Sequence, residues 1–112
     1  MGISIEERVA ARKPIQDFFA DKRKNLSVGG IWDFSLENRI KRQFLAEMNG
    51  IAKDLEMEAM SKAEKGKDGE SVLKKAEEKF KKLQEDFTKN LGHGDPIIGK
   101  PYEKIIEIIN GL

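Results

Sequence analysis

The chain has 112 residues, of which 38% are hydrophobic and 37% charged, and this length fits one domain because two cores of half the size would each be marginal. Its 21 basic and 20 acidic side chains nearly cancel, which excludes a strong global attraction for nucleic acid or anionic lipid. The sequence has no cysteine, no apolar run of roughly 18 residues and no apolar leader at its start, so we expect a cytoplasmic protein without disulfides or a membrane span.

Residues 4–24 have the pattern of one or two N-terminal helices. Ser4 and Glu7 have the spacing of a capping box, which satisfies free amides at a helix start. Pro14 interrupts the pattern, because a proline inside a helix removes one amide and clashes with the preceding turn. Two outcomes are open: one helix ends before Pro14 and a second begins with it, or a single helix kinks there. Residues 25–30 then predict a loop.

The strongest signal is amphipathic helical periodicity over residues 35–65 and again over 70–91. In both segments the apolar residues recur every three or four positions: Leu36, Ile40, Phe44, Met48, Ile51, Leu55, Ala59 and Ala63, then Leu73, Ala76, Phe80, Leu83, Phe87 and Leu91. Long helices joined by a short glycine-flanked turn normally lie antiparallel. The sequence therefore predicts an all-α domain over residues 1–112, a small bundle of four or five helices built on a long antiparallel hairpin.

The C-terminal part combines a glycine- and proline-rich loop over residues 92–101 with a short apolar segment over 102–110. Pro101 suits the first position of a helix. The isoleucines that follow also have strand propensity, but no partner strand is evident elsewhere, so a helix is expected.

This loop contains the only histidine, His93, with Asp95 and Lys100 nearby. A histidine can act as a general acid or base, a carboxylate can orient it, and a lysine can stabilise a phosphorane-like state. The three residues therefore form a candidate catalytic set for a metal-independent ribonuclease, with RNA as its substrate. The simpler interpretation is a structural linker.

Trp32 and Phe34 precede the long helix and flank Asp33. Such a pair often closes the end of a bundle as a hydrophobic staple, and the sequence favours this buried arrangement. If exposed, the two rings would anchor a partner instead. Met57 lies off the main apolar stripe, which indicates either burial by several helices or an exposed patch near the two rings.

Arg39 and Arg42 lie on one helical face and are candidates for binding an anion or an RNA backbone. Nearby acids such as Asp33 and Glu37 offer the alternative of structural salt bridges, which we favour because residues 1–60 hold equal numbers of acids and bases. Metal binding is not expected, because di-iron bundles need helical histidines.

Two functions remain open at this stage. The preferred one is a non-enzymatic helical interaction module, acting as a regulator, adaptor or inhibitor through its helix faces, with Trp32, Phe34, Met57, Arg39 and Arg42 as binding residues. Its partner would be another protein or a second copy of the chain. The alternative is the ribonuclease based on His93. Neither needs a cofactor or a metal.

Overall fold

The computed structural model describes residues 2–30, 32–92 and 101–112, and over these ranges the chain is all-α. It contains the helices α1 (Ile5–Asn25), α2 (Leu36–Glu64), α3 (Glu70–Gly92) and α4 (Pro101–Asn110). α2 and α3 form the antiparallel hairpin, since the side chains of Lys75 and Glu58 meet across it at 2.5 Å. The predicted all-α bundle is confirmed, with four helices in the described part of the chain.

α1 is a single helix that continues through Pro14, which decides between the two predicted outcomes. The Ser4 hydroxyl oxygen accepts a hydrogen bond from the Glu7 amide at 3.1 Å, and the hydroxyl donates to the Glu7 carboxylate at 3.2 Å. Three basic residues occupy the last turn, where the helix dipole favours positive charge. α1 is therefore stabilised at both ends, which offsets the amide missing at Pro14.

The turn between α2 and α3 is made possible by Gly66. Its φ of 69° lies in the left-handed region, which costs a glycine nothing because it has no Cβ. The Gly66 amide donates to the Ala63 carbonyl at 3.0 Å and so closes the end of α2. The chain can then reverse direction within a few residues.

α1 and α4 both pack on the hairpin, but at different levels along it. α1 packs mainly on α2, whereas α4 packs mainly on α3. Arg23 donates to the Asn49 side chain at 2.8 Å, which fixes the C-terminal end of α1 near the middle of α2. Lys22 Nζ donates to the main-chain oxygen of Leu112 at 2.9 Å. The end of α1 therefore meets the chain two residues beyond the end of α4.

An aromatic cluster fills part of the core. The members of this cluster are Phe18, Phe19, Phe44, Phe80 and Phe87. Their contacting rings stand edge to face with centroids 5.0–6.4 Å apart, which is the favourable arrangement for aromatic quadrupoles. Lys22 Nζ lies 5.1–5.3 Å from two of these rings. Ile105 and Ile109 of α4 are fully buried, so they complete the core in this part of the bundle.

Candidate protein-binding loop

Between α1 and α2 the structure describes residues 26–30 and 32–35, the aromatic loop, and this loop exposes two large rings. Trp32 is 82% exposed and Phe34 72% exposed, and the two rings stand edge to face with centroids 6.4 Å apart. The prediction that Trp32 and Phe34 are buried is therefore wrong. A hydrophobic staple needs an apolar side chain at the fourth helical position, and because Ser35 caps α2 that position is Arg39. Phe34 has no apolar partner there.

Asn38 is the residue that joins the two ends of the aromatic loop. It is 2% exposed and is the buried polar residue of the described core. Its Oδ1 accepts a hydrogen bond from the Gly29 amide at 2.6 Å, and its Nδ2 donates to the Asp33 carbonyl at 2.9 Å. A buried amide with both ends satisfied specifies one backbone conformation, because any other would leave polar groups unpaired.

Two cations of α2 bind the carbonyls of the aromatic loop. Arg42 donates to the Gly29 carbonyl at 3.2 Å and to the Gly30 carbonyl at 2.5 Å. Lys41 donates to the Ser27 carbonyl at 2.9 Å and also pairs with Glu37 at 3.2 Å. The loop is thus held by side chains of the helix that follows it, rather than by packing of its own rings.

The carboxylate of Asp33 completes the loop. It accepts a hydrogen bond from the Ser35 amide at 3.0 Å. The hydrogen bonds from Ser35, with the nearby positive charges of Arg42 and Lys41, lower the pKa of Asp33 below its ordinary value. A Cβ at position 29 would collide with this carboxylate, so a larger residue there would have to displace the Asp33 side chain.

Arg39 and Arg42, the two candidates for binding an anion or an RNA backbone, have different surroundings in the structure. The guanidinium of Arg42 binds loop carbonyls, whereas Arg39 is exposed. The expected salt bridges to acids close in sequence are also absent for the arginines in the described ranges, where Arg8 pairs with Glu64 of another helix at 3.7 Å. The physical reason is that loop carbonyls without backbone partners compete well for a guanidinium with five donors.

Met57 is exposed, at 59%, but it does not belong to the same patch as the two rings. It lies on α2 about 31 Å beyond Leu36 at 1.5 Å per residue. The single apolar patch expected from Trp32, Phe34 and Met57 is therefore wrong, and the aromatic loop stands alone.

The candidate catalytic residues His93, Asp95 and Lys100 lie outside the described residues. Within the described part of the chain, histidine, cysteine and carboxylate side chains form no cluster of three or more suited to a metal ion. No described helix is both long and apolar enough to cross a membrane. Comparison of the chain with protein-family models, with curated proteins and with solved structures found no match.

Proposed function

We propose that the protein is a non-enzymatic protein-interaction module, a regulator, adaptor or inhibitor, that binds its partner through the aromatic loop. One observation carries this proposal: two large aromatic side chains are exposed on a backbone that Asn38 and Arg42 hold in one conformation. The helical periodicity favours contacts through helix faces, whereas the exposure of Trp32 and Phe34 favours a contact through the loop that precedes α2.

A fixed loop is well suited to binding. Ordering a flexible loop costs conformational entropy each time a partner binds. In the aromatic loop that cost is met during folding, because hydrogen bonds from α2 fix its backbone. Tryptophan has few rotatable bonds and is enriched among the residues that dominate binding energy. Trp32 is therefore the expected centre of the contact.

The size of the exposed patch limits the kind of contact. Aromatic side chains bury about 150–250 Å² each, so the two rings offer roughly 350 Å² at their observed exposure. A standard interface takes about 800 Å² from each partner. The rings therefore serve as an anchor in a small or transient contact, and they are too small to hold two copies of the chain together by themselves.

The test is site-specific crosslinking followed by binding measurements. A photoreactive phenylalanine analogue replaces Phe34 in one sample and Met57 in the other, because both positions are exposed and they lie far apart. We expect a protein that is captured only from position 34. That protein, once purified, should bind Trp32→Ala at least about 30-fold more weakly than wild type, as for a residue at the centre of an interface.

Met57→Ala is the matched control, since it also removes an exposed apolar side chain. It should leave the affinity for the captured protein unchanged within about twofold, as for an uninvolved surface residue. Equal capture from both positions, or equal affinity of wild type and Trp32→Ala, would contradict the proposal.

A further inference from the structure

The aromatic loop lies within a strongly basic part of the sequence. Residues 22–42 have a net charge of +4, whereas the whole chain has a net charge of +1. The cations of this segment are Lys22, Arg23, Lys24, Arg39, Lys41 and Arg42, and its carboxylates are Asp33 and Glu37. The rest of the chain is therefore slightly acidic. Arg39, Lys41 and Arg42 lie on the first two turns of α2, directly after the two rings, whereas Arg23 lies beside Asn49 near the middle of α2.

Within residues 22–42, the two carboxylates do not cancel the three positive charges at the start of α2. Arg42 donates to neutral carbonyls, which leaves its charge in place. Glu37 is paired with Lys41, so among residues 22–42 Asp33 is the carboxylate left to balance Arg39 and Arg42. The hydrogen bonds from Ser35 are the main cause of the lowered pKa of Asp33, and the positive charges of Arg42 and Lys41 add to it.

We propose that the aromatic loop binds an acidic, partly apolar peptide segment of its partner, and this inference rests on the proposed function above. The apolar side chains of the segment cover Trp32 and Phe34, and its carboxylates pair with Arg39 and with Arg42. Charge complementarity argues for carboxylates. The small apolar area argues for a short segment rather than for a second folded copy of the chain.

In the test, the 112-residue protein is immobilised, and peptides that bind it are selected from a random 12-residue library displayed on phage. Peptides that also bind the double variant Trp32→Ala, Phe34→Ala are removed by counter-selection. We expect the remaining peptides to be net negative and to contain aliphatic or aromatic residues. Trp32 is the only tryptophan of the chain, so its emission should shift to shorter wavelength as a selected peptide covers it.

Reversing one charge at a time distinguishes a direct contact between Arg39 and the peptide from a general effect of the net charge of the protein. Arg39→Glu should lower the affinity for the best acidic peptide by about 10-fold or more, as removal of a close charge pair does. Lys81→Glu makes the same change in net charge at an exposed position of α3, and it should lower the affinity for the peptide by less than about twofold. Both residues are exposed, so both variants should keep the wild-type circular dichroism spectrum.

The other outcomes each have a definite meaning. Selected peptides that are neutral or basic, yet depend on Trp32, overturn the acidic segment while the proposed function stands. A selection that yields no peptide dependent on the rings overturns the peptide segment, and the crosslinking from position 34 then decides the proposed function separately. A 12-nucleotide oligouridine, or vesicles with 30% phosphatidylserine, that shifted the Trp32 emission at lower concentration than the best peptide would replace the peptide with that class of partner.

Discussion

The two halves of the bundle are built from side chains of different size. Towards the aromatic loop, Phe19, Phe44 and Phe80 are almost completely buried. Towards the turn at residues 65–69, a groove of about 400 Å³ separates the start of α1 from the start of α3. The residues that line this groove include Ala10, Ala11, Pro14, Ile15, Gly69 and Leu73.

This difference shows how side-chain volume distributes stability in a small bundle. Interlocking rings allow one close-packed arrangement, whereas small side chains leave space that neighbouring helices do not fill. Asn38 and Arg42 stand within two turns of Phe44 on α2. The aromatic loop is therefore fixed to the better-packed half, as a preorganised binding site requires.

The largest loss of stability is expected from a substitution of Phe44, which contacts the rings of both Phe80 and Phe87. Phe44→Ala should lower the free energy of unfolding by about 3–5 kcal/mol, because it removes buried area and leaves a cavity. Urea unfolding followed by far-ultraviolet circular dichroism measures this. A loss below about 1 kcal/mol would show that the aromatic cluster does not dominate stability.

Replacing an alanine by a larger residue should have opposite effects on stability in the packed core and in the groove. Ala52 is 2% exposed, and Ala52→Leu should destabilise the protein by about 1–3 kcal/mol through overpacking. Ala10 lines the groove and is exposed, so Ala10→Leu should stabilise it by about 0.5–1 kcal/mol by covering apolar surface. The same urea titrations compare both variants with wild type. Two changes of the same sign would contradict the contrast in packing.

Asn38→Ala should uncouple the aromatic loop from α2. Because the Gly29 amide and the Asp33 carbonyl lose their partner, we expect a loss of about 1–3 kcal/mol in the free energy of unfolding. The steady-state fluorescence anisotropy of Trp32 should fall as the loop gains motion. Gln16→Ala, at an exposed position of α1, is the control and should change neither quantity. Unchanged anisotropy in Asn38→Ala would show that the loop holds itself.

The smallest effect concerns Glu58, whose pKa the hydrogen bond from Lys75 lowers below its ordinary value. A lowered folded pKa stabilises the protein above the unfolded pKa, and this contribution is lost as the pH falls through the folded value. Lys75→Met should return the Glu58 pKa towards its ordinary value, measured by NMR titration. Both side chains are partly exposed, so the change in stability should be at most about 0.5 kcal/mol. An unchanged Glu58 pKa in Lys75→Met would exclude this cause.

Periodicity and local signals predict the helices well in this chain. The apolar stripe from Leu36 to Ala63 has one helical interpretation, and α2 occupies almost the same residues. The capping role of Ser4 could also be predicted, because it depends on residues three positions apart. Pro14 could not be decided from the sequence, since whether a helix continues through a proline depends on what packs against it.

The aromatic loop shows where such reasoning fails. Burial of Trp32 and Phe34 is expected if the pair forms a hydrophobic staple, but Arg39 at the staple position argues against it. The hydrogen bonds from Arg42 to two loop carbonyls could not be predicted, because the sequence also offers nearby acids as equally good partners. Which partner an arginine chooses depends on where the loop leaves carbonyls unsatisfied, and that is a property of the fold.

The helix contacts run mainly between neighbours in the chain, α1 with α2, α2 with α3 and α3 with α4. Bundles dominated by such local contacts fold within microseconds to milliseconds. The bond from Lys22 to Leu112 joins residues 90 positions apart, so we expect it to form after the folding barrier is crossed. Its loss should then leave the folding rate unchanged and speed up unfolding.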